Sequence, residues 1–228
     1  MIDRTLFRAL LPAILVLVLV LAGCGDDDSK DEPQDAPTPT PETTPVLEGP
    51  SKELVELLTG GLDVTYKATY QTTTPEGQEG DTYVVINRPP RARIDITSAD
   101  GSEPSSVIIG GDSNTATIGC SGSAQQWECS ETEPLGGSLV RTAGPFPFFS
   151  AADLQLFDVT ESASRTVAGQ DARCLRLIRK DQTTGDTEYC LSRDGVPLFI
   201  AAPFGTVEAT EFSVDVPDQD FTPPAEPQ

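Results

Sequence analysis

Apolar and polar side chains alternate along much of this chain with a period of two. From residue 62 to 71 an apolar side chain stands at every second position. The alternation returns at 91–97, where Ala92, Ile94 and Ile96 are separated by charged residues. A period of two places the apolar side chains on one face of a β-strand. These segments are therefore predicted to be half-buried antiparallel strands.

Further short apolar segments are separated by turn-forming residues. They predict strands at 81–88, 107–109, 115–120, 172–179, 187–192, 198–202 and 206–214. A short helix is predicted from Ser51, with leucine and valine on one side, and it should end at Gly60-Gly61. Roughly ten strands and three helices indicate a mainly β (α+β) fold, a strongly bent antiparallel sheet with helical cover.

The N-terminus has the organisation of a bacterial lipoprotein signal peptide. Arg4 and Arg8 precede an uninterrupted run of apolar or small residues, 9–23. As a helix this run would span roughly 22 Å, short of the roughly 30 Å hydrocarbon core of a bilayer. It ends in Leu-Ala-Gly followed by Cys24, which resembles the lipobox whose cysteine is diacylated and becomes the new N-terminus. The alternative is an uncleaved anchor helix followed by an incidental cysteine.

These features divide the chain into four predicted parts. Residues 1–23 are the signal peptide, and 24–50 are the lipidated cysteine with an acidic, Pro/Thr-rich tether. Residues 51–216 form one β-rich domain, and 217–228 are a Pro/acid-rich tail that should trail over the surface. The protein is expected on the extracytoplasmic face of the cell membrane, held there by its diacylglycerol-cysteine.

Composition excludes several functional classes. The 228 residues include 15 basic and 36 acidic side chains, a net charge of −21, and no histidine. Catalytic arrangements that need an imidazole are therefore absent, and an acidic chain lacks the basic footprint of nucleic-acid binders. The sequence around Gly119-Cys120-Ser121-Gly122 falls short of a nucleophile elbow. We expect no enzyme activity, no cofactor, no metal site and no nucleic-acid partner.

Four cysteines remain after Cys24 in a domain predicted to be exported. They allow three pairings, and their spacings match no structural zinc pattern. We predict the two local disulfides, Cys120–Cys129 and Cys174–Cys190.

A strand register supports the second disulfide. If its two cysteines lie opposite each other, Arg176 faces Glu188 on the same side of the hairpin. Leu175 then faces Tyr189 on the other, apolar side. This register predicts that the disulfide sits on the outer, polar side of the hairpin.

The most unusual apolar stretch is Gly-Pro-Phe-Pro-Phe-Phe at 144–149, followed by a predicted helix start at Ser150. One interpretation is that the stretch packs against the concave face of the sheet as part of the core. The other is that it lines a cavity for an acyl chain. The side chains predicted to line such a cavity are Tyr66, Tyr70, Ile94, Ile96, Phe146, Phe148, Phe149, Leu154 and Phe157.

The order of these features resembles the LolA-like superfamily of lipid-binding lipoproteins. The resemblance includes Cys174-Leu175, the run Tyr-Cys-Leu-Ser-x-Asp-Gly-x-Pro-Leu at 189–198, and Asp-Phe-x-Pro-Pro at 220–224. It implies an open half-barrel sheet whose concave face is covered by short helices and holds lipid tails. The implied function is binding or carriage of a lipid or other hydrophobic ligand. The alternative is a non-enzymatic envelope interaction or sensor domain whose core is filled by side chains.

Overall fold

The computed structural model describes residues 47–102, 104–109, 117–123, 126–132, 146, 151–181 and 185–228. Within these ranges, twelve strands form one antiparallel sheet that does not close. The strands are β1 (Tyr66–Thr73), β2 (Glu79–Arg88), β3 (Arg91–Thr97), β4 (Ser105–Ile109), β5 (Thr117–Ser123), β6 (Gln126–Thr132), β7 (Phe157–Glu161), β8 (Arg165–Val167), β9 (Gln170–Arg179), β10 (Thr187–Ser192), β11 (Pro197–Ala202) and β12 (Gly205–Ser213). The helices are α1 (Gly49–Gly61) and α2 (Ala151–Leu154), and a short 3-10 helix spans Asp218–Phe221.

The sheet consists of two meanders joined side by side. Strands β1 to β6 pair in sequence order, β9 to β12 do the same, and β1 pairs with β12 to connect them. Strands β7 and β8 both lie along β9 at the far edge. The predicted mainly β fold, an open antiparallel sheet with short helices, is confirmed.

The strand register sorts the side chains into two faces, because paired residues lie on the same side of a sheet. We call one of them the covered face, since the leucines of α1 and α2 pack against it. Its apolar side chains from the strands include Tyr66, Ala68, Tyr70, Tyr83, Val85, Ala92, Ile94, Ile96, Phe157, Val159, Leu175, Leu177, Tyr189, Leu191, Leu198, Ile200, Val207, Ala209 and Phe212. The opposite side of the sheet is the outer face.

Helix α1 ends at the residues that the sequence predicts, and close packing explains why. A Cβ atom added to Gly61 would lie 2.3 Å from the carbonyl oxygen of Gly195 in the turn after β10. No other residue fits that approach without a backbone shift. The C-terminal end of α1 is thereby held directly against the β10–β11 turn.

The far edge of the sheet bends over the outer face. Strand β8 contacts β12, and the Arg165 guanidinium carbon lies 4.0 Å from the ring centroid of Phe199 on β11. In a flat sheet β8 and β11 would be about 14 Å apart, which is three strand spacings. Strand β8 therefore folds back over the hairpin of β9 and β10.

This bend corrects the predicted environment of the second disulfide. Cys174 and Cys190 lie on the face opposite Leu175, as the register requires, but both are fully buried. They share the core with Val167 of β8. The predicted side of the hairpin is confirmed, since the disulfide lies on the outer face. The predicted polar surroundings are wrong, because the sequence pattern did not reveal the short strand β8.

The C-terminal segment, 214–228, runs over the outer face and contacts it at several points. Val216 and Phe221 are buried against Ile86 of β2. The backbone N–H of Gln228 donates to the carbonyl oxygen of Cys129 on β6, at 3.0 Å. The sequence predicts a surface segment here but not these attachments.

Residues 1–46 lie outside the described ranges, and with them the predicted signal peptide, Cys24 and most of the predicted tether. Among the helices of the described part, none has the length and apolar character needed to cross a membrane.

Candidate ligand-binding face

The structure brings the predicted lining residues together. Phe148 and Phe149 lie outside the described residues. The other seven all belong to one buried cluster or pack against it: Tyr66, Tyr70, Ile94, Ile96, Phe146, Leu154 and Phe157. Sheet, helix and loop thus contribute to a single apolar region on the covered face.

The sheet part of this region follows directly from the alternation in the sequence. Tyr70 on β1 is paired with Tyr83 on β2, which is paired with Ile96 on β3. Two residues further along, Val85 on β2 is paired with Ile94 on β3. Because every second side chain points to the same side, three strands present a continuous apolar surface.

Phe146 packs onto this surface. Its ring meets the Tyr70 ring edge to face, with centroids 4.9 Å apart. The Tyr70 hydroxyl donates to the carbonyl oxygen of Pro197 at 2.9 Å. The aromatic part of Tyr70 therefore lies among apolar groups while its polar end is satisfied, as a buried tyrosine requires.

Helix α1 lies over the same face with Leu54 and Leu58 buried in the cluster. An ion-pair group attaches its N-terminal half to the sheet, since Arg173 of β9 contacts the carboxylates of Glu53 on α1 and Glu161 on β7. All three side chains are at least one-third exposed, so these pairs contribute little stability. The helix is held at its C-terminal end by the close approach of Gly61 to Gly195 and along its length by the buried Leu54 and Leu58.

The buried part of the covered face carries no charged side chain. Burial raises the pKa of both Tyr70 and Tyr189 above the ordinary value for tyrosine, so both phenols stay protonated at physiological pH. Among the described residues no Asp, Glu, Lys or Arg is buried, and the charged Arg173 and Glu161 of this face are partly exposed. The buried part therefore suits an apolar ligand or a side-chain core.

The four described cysteines form the two predicted disulfides, Cys120–Cys129 and Cys174–Cys190. Both join directly paired residues on neighbouring strands. Within the ranges given above, no group of three or more His, Cys, Asp or Glu side chains is placed to hold a metal ion.

The register predicted for the β9–β10 hairpin is confirmed, with Arg176 opposite Glu188 and Leu175 opposite Tyr189. The predicted charge pair is arranged differently. Arg176 Nε lies 3.3 Å from a carboxylate oxygen of Asp186, while Glu188 accepts a hydrogen bond from the Ser162 hydroxyl.

Comparison with known proteins adds a distant likeness in fold. No family model and no curated protein matches the chain. A chain in the structure of the MucA/MucB complex of Pseudomonas aeruginosa is 18% identical over 75% of this chain and 59% of its own, with a TM-score of 0.51. A crystal structure of MucB gives 16% identity, 77% and 63% coverage, and a TM-score of 0.47. The chain thus spans about three-fifths of the length of these two matches.

A putative outer membrane lipoprotein-sorting protein domain from Vibrio parahaemolyticus is 13% identical over 75% of this chain and 97% of its own, with a TM-score of 0.19. Of these three structures, the MucA/MucB complex alone has a TM-score above 0.5, and at 18% identity it shows a shared fold and nothing more. Membership of the LolA-like superfamily stays a prediction.

Proposed function

We propose that this protein is a membrane-anchored, extracytoplasmic binding protein, not an enzyme, that takes a lipid or another hydrophobic ligand on its covered face. The observation that carries this proposal is the collection of seven predicted lining residues in one neutral apolar cluster beneath two helices. The two disulfides fit an oxidising compartment outside the cytoplasm.

Binding on this face requires side chains to move apart, because Leu154 is fully buried and Phe146 nearly so. Movement of helix α1 away from the sheet would open this face, and it would take Leu54 and Leu58 out of the cluster. The ion pair between Arg173 and Glu53 of α1 is partly exposed and would separate at low cost in free energy. An acyl chain entering between α1 and the sheet would replace contacts among apolar side chains with contacts of the same kind.

The proposed anchor gives a direct prediction. Cys24→Ser should leave the exported protein without radioactive palmitate, because the serine hydroxyl does not take the place of the thiol in lipidation. Cys120→Ala, a change at a cysteine of the folded domain, should keep its label. Labelling that survives Cys24→Ser would contradict the proposed anchor.

The proposed ligand is tested by native mass spectrometry of the exported full-length protein and by uptake of a fluorescent fatty acid. Ile96→Asp should lower uptake by about tenfold, because a carboxylate on the covered face must lose its hydration when an acyl chain binds. Thr97→Asp is the matched control, since its side chain is exposed on the neighbouring position of the outer face. Equal uptake by both variants, or protein free of lipid that takes up no probe, would contradict the proposal.

A second candidate is a non-enzymatic envelope interaction or sensor domain without a ligand. The edge-to-face contact between Tyr70 and Phe146 favours it, because side chains already occupy the covered face there. The fold is shared with a chain of the MucA/MucB complex, a structure of two proteins bound to each other. Crosslinking in cells to a protein partner, together with a lipid assay that finds none, would support this candidate over the first.

A further inference from the structure

Four basic side chains gather on the outer face although the chain is strongly acidic. Lys67, Arg88, Arg91 and Arg93 come from β1, β2 and β3, and the register places them all on that face. We call these four residues the basic patch. The whole chain has 15 basic residues against 36 acidic ones, so a concentration of positive charge at one place needs a partner.

In the structure the partner is the chain's own C-terminal segment. The Asp218 carboxylate is in contact with the guanidinium groups of both Arg88 and Arg91. The Asp220 carboxylate lies 3.1 Å from the Lys67 ammonium nitrogen. Two carboxylates separated by one residue thus meet three of the four cations.

The fourth cation, Arg93, is paired with Asp95 of its own strand, with Nε 2.8 Å from a carboxylate oxygen, and it also binds the main chain of the segment. The Arg93 Nη1 group donates to the carbonyl oxygens of Asp220 at 3.0 Å and Thr222 at 2.8 Å. Arg88 Nη1 donates in the same way to the carbonyl oxygen of Val216 at 2.8 Å. These contacts to main-chain carbonyls depend on the path of the peptide backbone and not on its side chains.

An aromatic side chain completes the match. The Phe221 ring is buried against Ile86 and Val216. The guanidinium carbons of Arg91 and Arg88 lie 4.5 Å and 5.3 Å from its centroid, within range of a cation–π interaction. The patch therefore contacts carboxylates, main chain and an aromatic ring together.

One buried polar group on the outer face, between the strands that the segment crosses, forms no hydrogen bond with the segment. The segment passes from Thr222, above Arg93 of β3, to Pro227, which bridges to Cys129 of β6. Ser106 of β4 lies between these strands on the same outer face. Its hydroxyl is fully buried and has no hydrogen-bond partner among the described residues. Prolines 223 and 224, which follow Thr222, have no N–H to donate.

Three features make the segment exchangeable. The Asp218 side chain is 82% exposed, so its ion pairs contribute little. The connection after β12 is exposed, with Val214 70% accessible to water. A buried hydroxyl without a partner also costs free energy, which a different peptide with an acceptor at that point would avoid.

We propose that the outer face of β1–β5 is a recognition groove for an acidic peptide with the pattern Asp-x-Asp-Phe, bound as a short 3-10 turn like residues 218–221 and presented by a partner protein. Residues 214–228 occupy this groove in cis and compete with the partner segment. This inference is independent of the proposed ligand, since the groove and the covered face lie on opposite sides of the sheet.

A labelled peptide with the sequence of residues 214–228 tests the groove by fluorescence anisotropy. The full chain carrying Asp218→Asn, Asp220→Asn and Phe221→Ala should bind it about tenfold more tightly than the wild type, because its own segment competes less. Adding Arg93→Gln to that chain should lower the affinity about tenfold. A peptide of the same composition in scrambled order should bind neither chain, and raising the salt concentration should weaken the specific complex.

Two results would overturn the proposal. One is that the chain with the altered segment does not bind the peptide although circular dichroism shows the chain to be folded. The other is that the scrambled peptide binds as tightly as the peptide of residues 214–228. Hydrogen exchange of the wild-type protein gives a second test that needs no variant. Amides of 214–228 should exchange by local opening, faster than those of β1–β3. Exchange of both regions only through global unfolding would also overturn it.

Discussion

Replacing Cys174 and Cys190 together with alanine is expected to lower the free energy of unfolding by about 3 to 4 kcal/mol. The two cysteines are 16 residues apart in sequence, so the disulfide restricts a sizeable loop of the unfolded chain. Both are fully buried in the main core, and their removal also leaves unfilled volume. Urea unfolding followed by circular dichroism measures the loss.

The matched control is alanine at Cys120 and Cys129. Their separation is 9 residues, and they join β5 to β6 at the opposite edge of the sheet. Their removal is expected to lower the free energy of unfolding less than removal of Cys174 and Cys190. The shorter loop accounts for a difference of less than about 1 kcal/mol, and the position outside the main cluster increases that difference. A larger loss from this pair than from Cys174 and Cys190 would contradict the assignment of the core. Non-reducing peptide mapping should show the two local bonds, and a crossed peptide would contradict the register.

Raising the pH above 10 is expected to destabilise the fold steeply. Burial raises the pKa of Tyr66, Tyr70 and Tyr189 in the folded protein, whereas in the unfolded chain all three titrate near 10. The stabilisation is therefore complete below pH 10 and is lost as the pH rises beyond it, because only the unfolded state releases these protons. Each tyrosine contributes at most about 1.4 kcal/mol per pH unit, so the three together should remove about 3 to 4 kcal/mol between pH 10 and 11.

Urea unfolding at several pH values and tyrosinate absorbance near 295 nm measure this effect. Absorbance and loss of circular dichroism should rise together, since the buried phenols ionise on unfolding. Tyr70→Phe should reduce the pH dependence by about a third, since Tyr66 and Tyr189 still contribute. Tyr83→Phe is the comparison, because Tyr83 is only partly buried and should change it less. Ionisation of all tyrosines near pH 10 in a protein that remains folded would contradict the buried positions.

Much of the sheet could be predicted because the determining signals are local. The strand predicted at 91–97 coincides with β3, since alternation of apolar and charged residues is unambiguous there. The hairpin register of β9 and β10 followed from matching pairs a few residues apart. The covered face was predicted for the same reason, because residues two apart on one strand share a side.

The features that were not predicted depend on contacts distant in sequence. Strand β8 has three residues, too few to show a period, and its folding back over Phe199 determines the burial of the second disulfide. The acidic C-terminal segment has the composition of a solvated tail. Its attachment depends on Lys67 and the arginines of β2 and β3, which lie more than a hundred residues earlier in the chain.

The proposed ligand-binding face is tested most directly by photo-crosslinking the exported full-length protein with a photoactivatable fatty acid and mapping the labelled peptides. Labels are expected on covered-face residues, among them Tyr66, Ile96 and Phe157, and on α1. No label is expected on the outer-face residues of the same strands, such as Lys67 and Arg93. Labels on the outer face alone, or no label in protein that binds a protein partner, would contradict the proposed ligand-binding face.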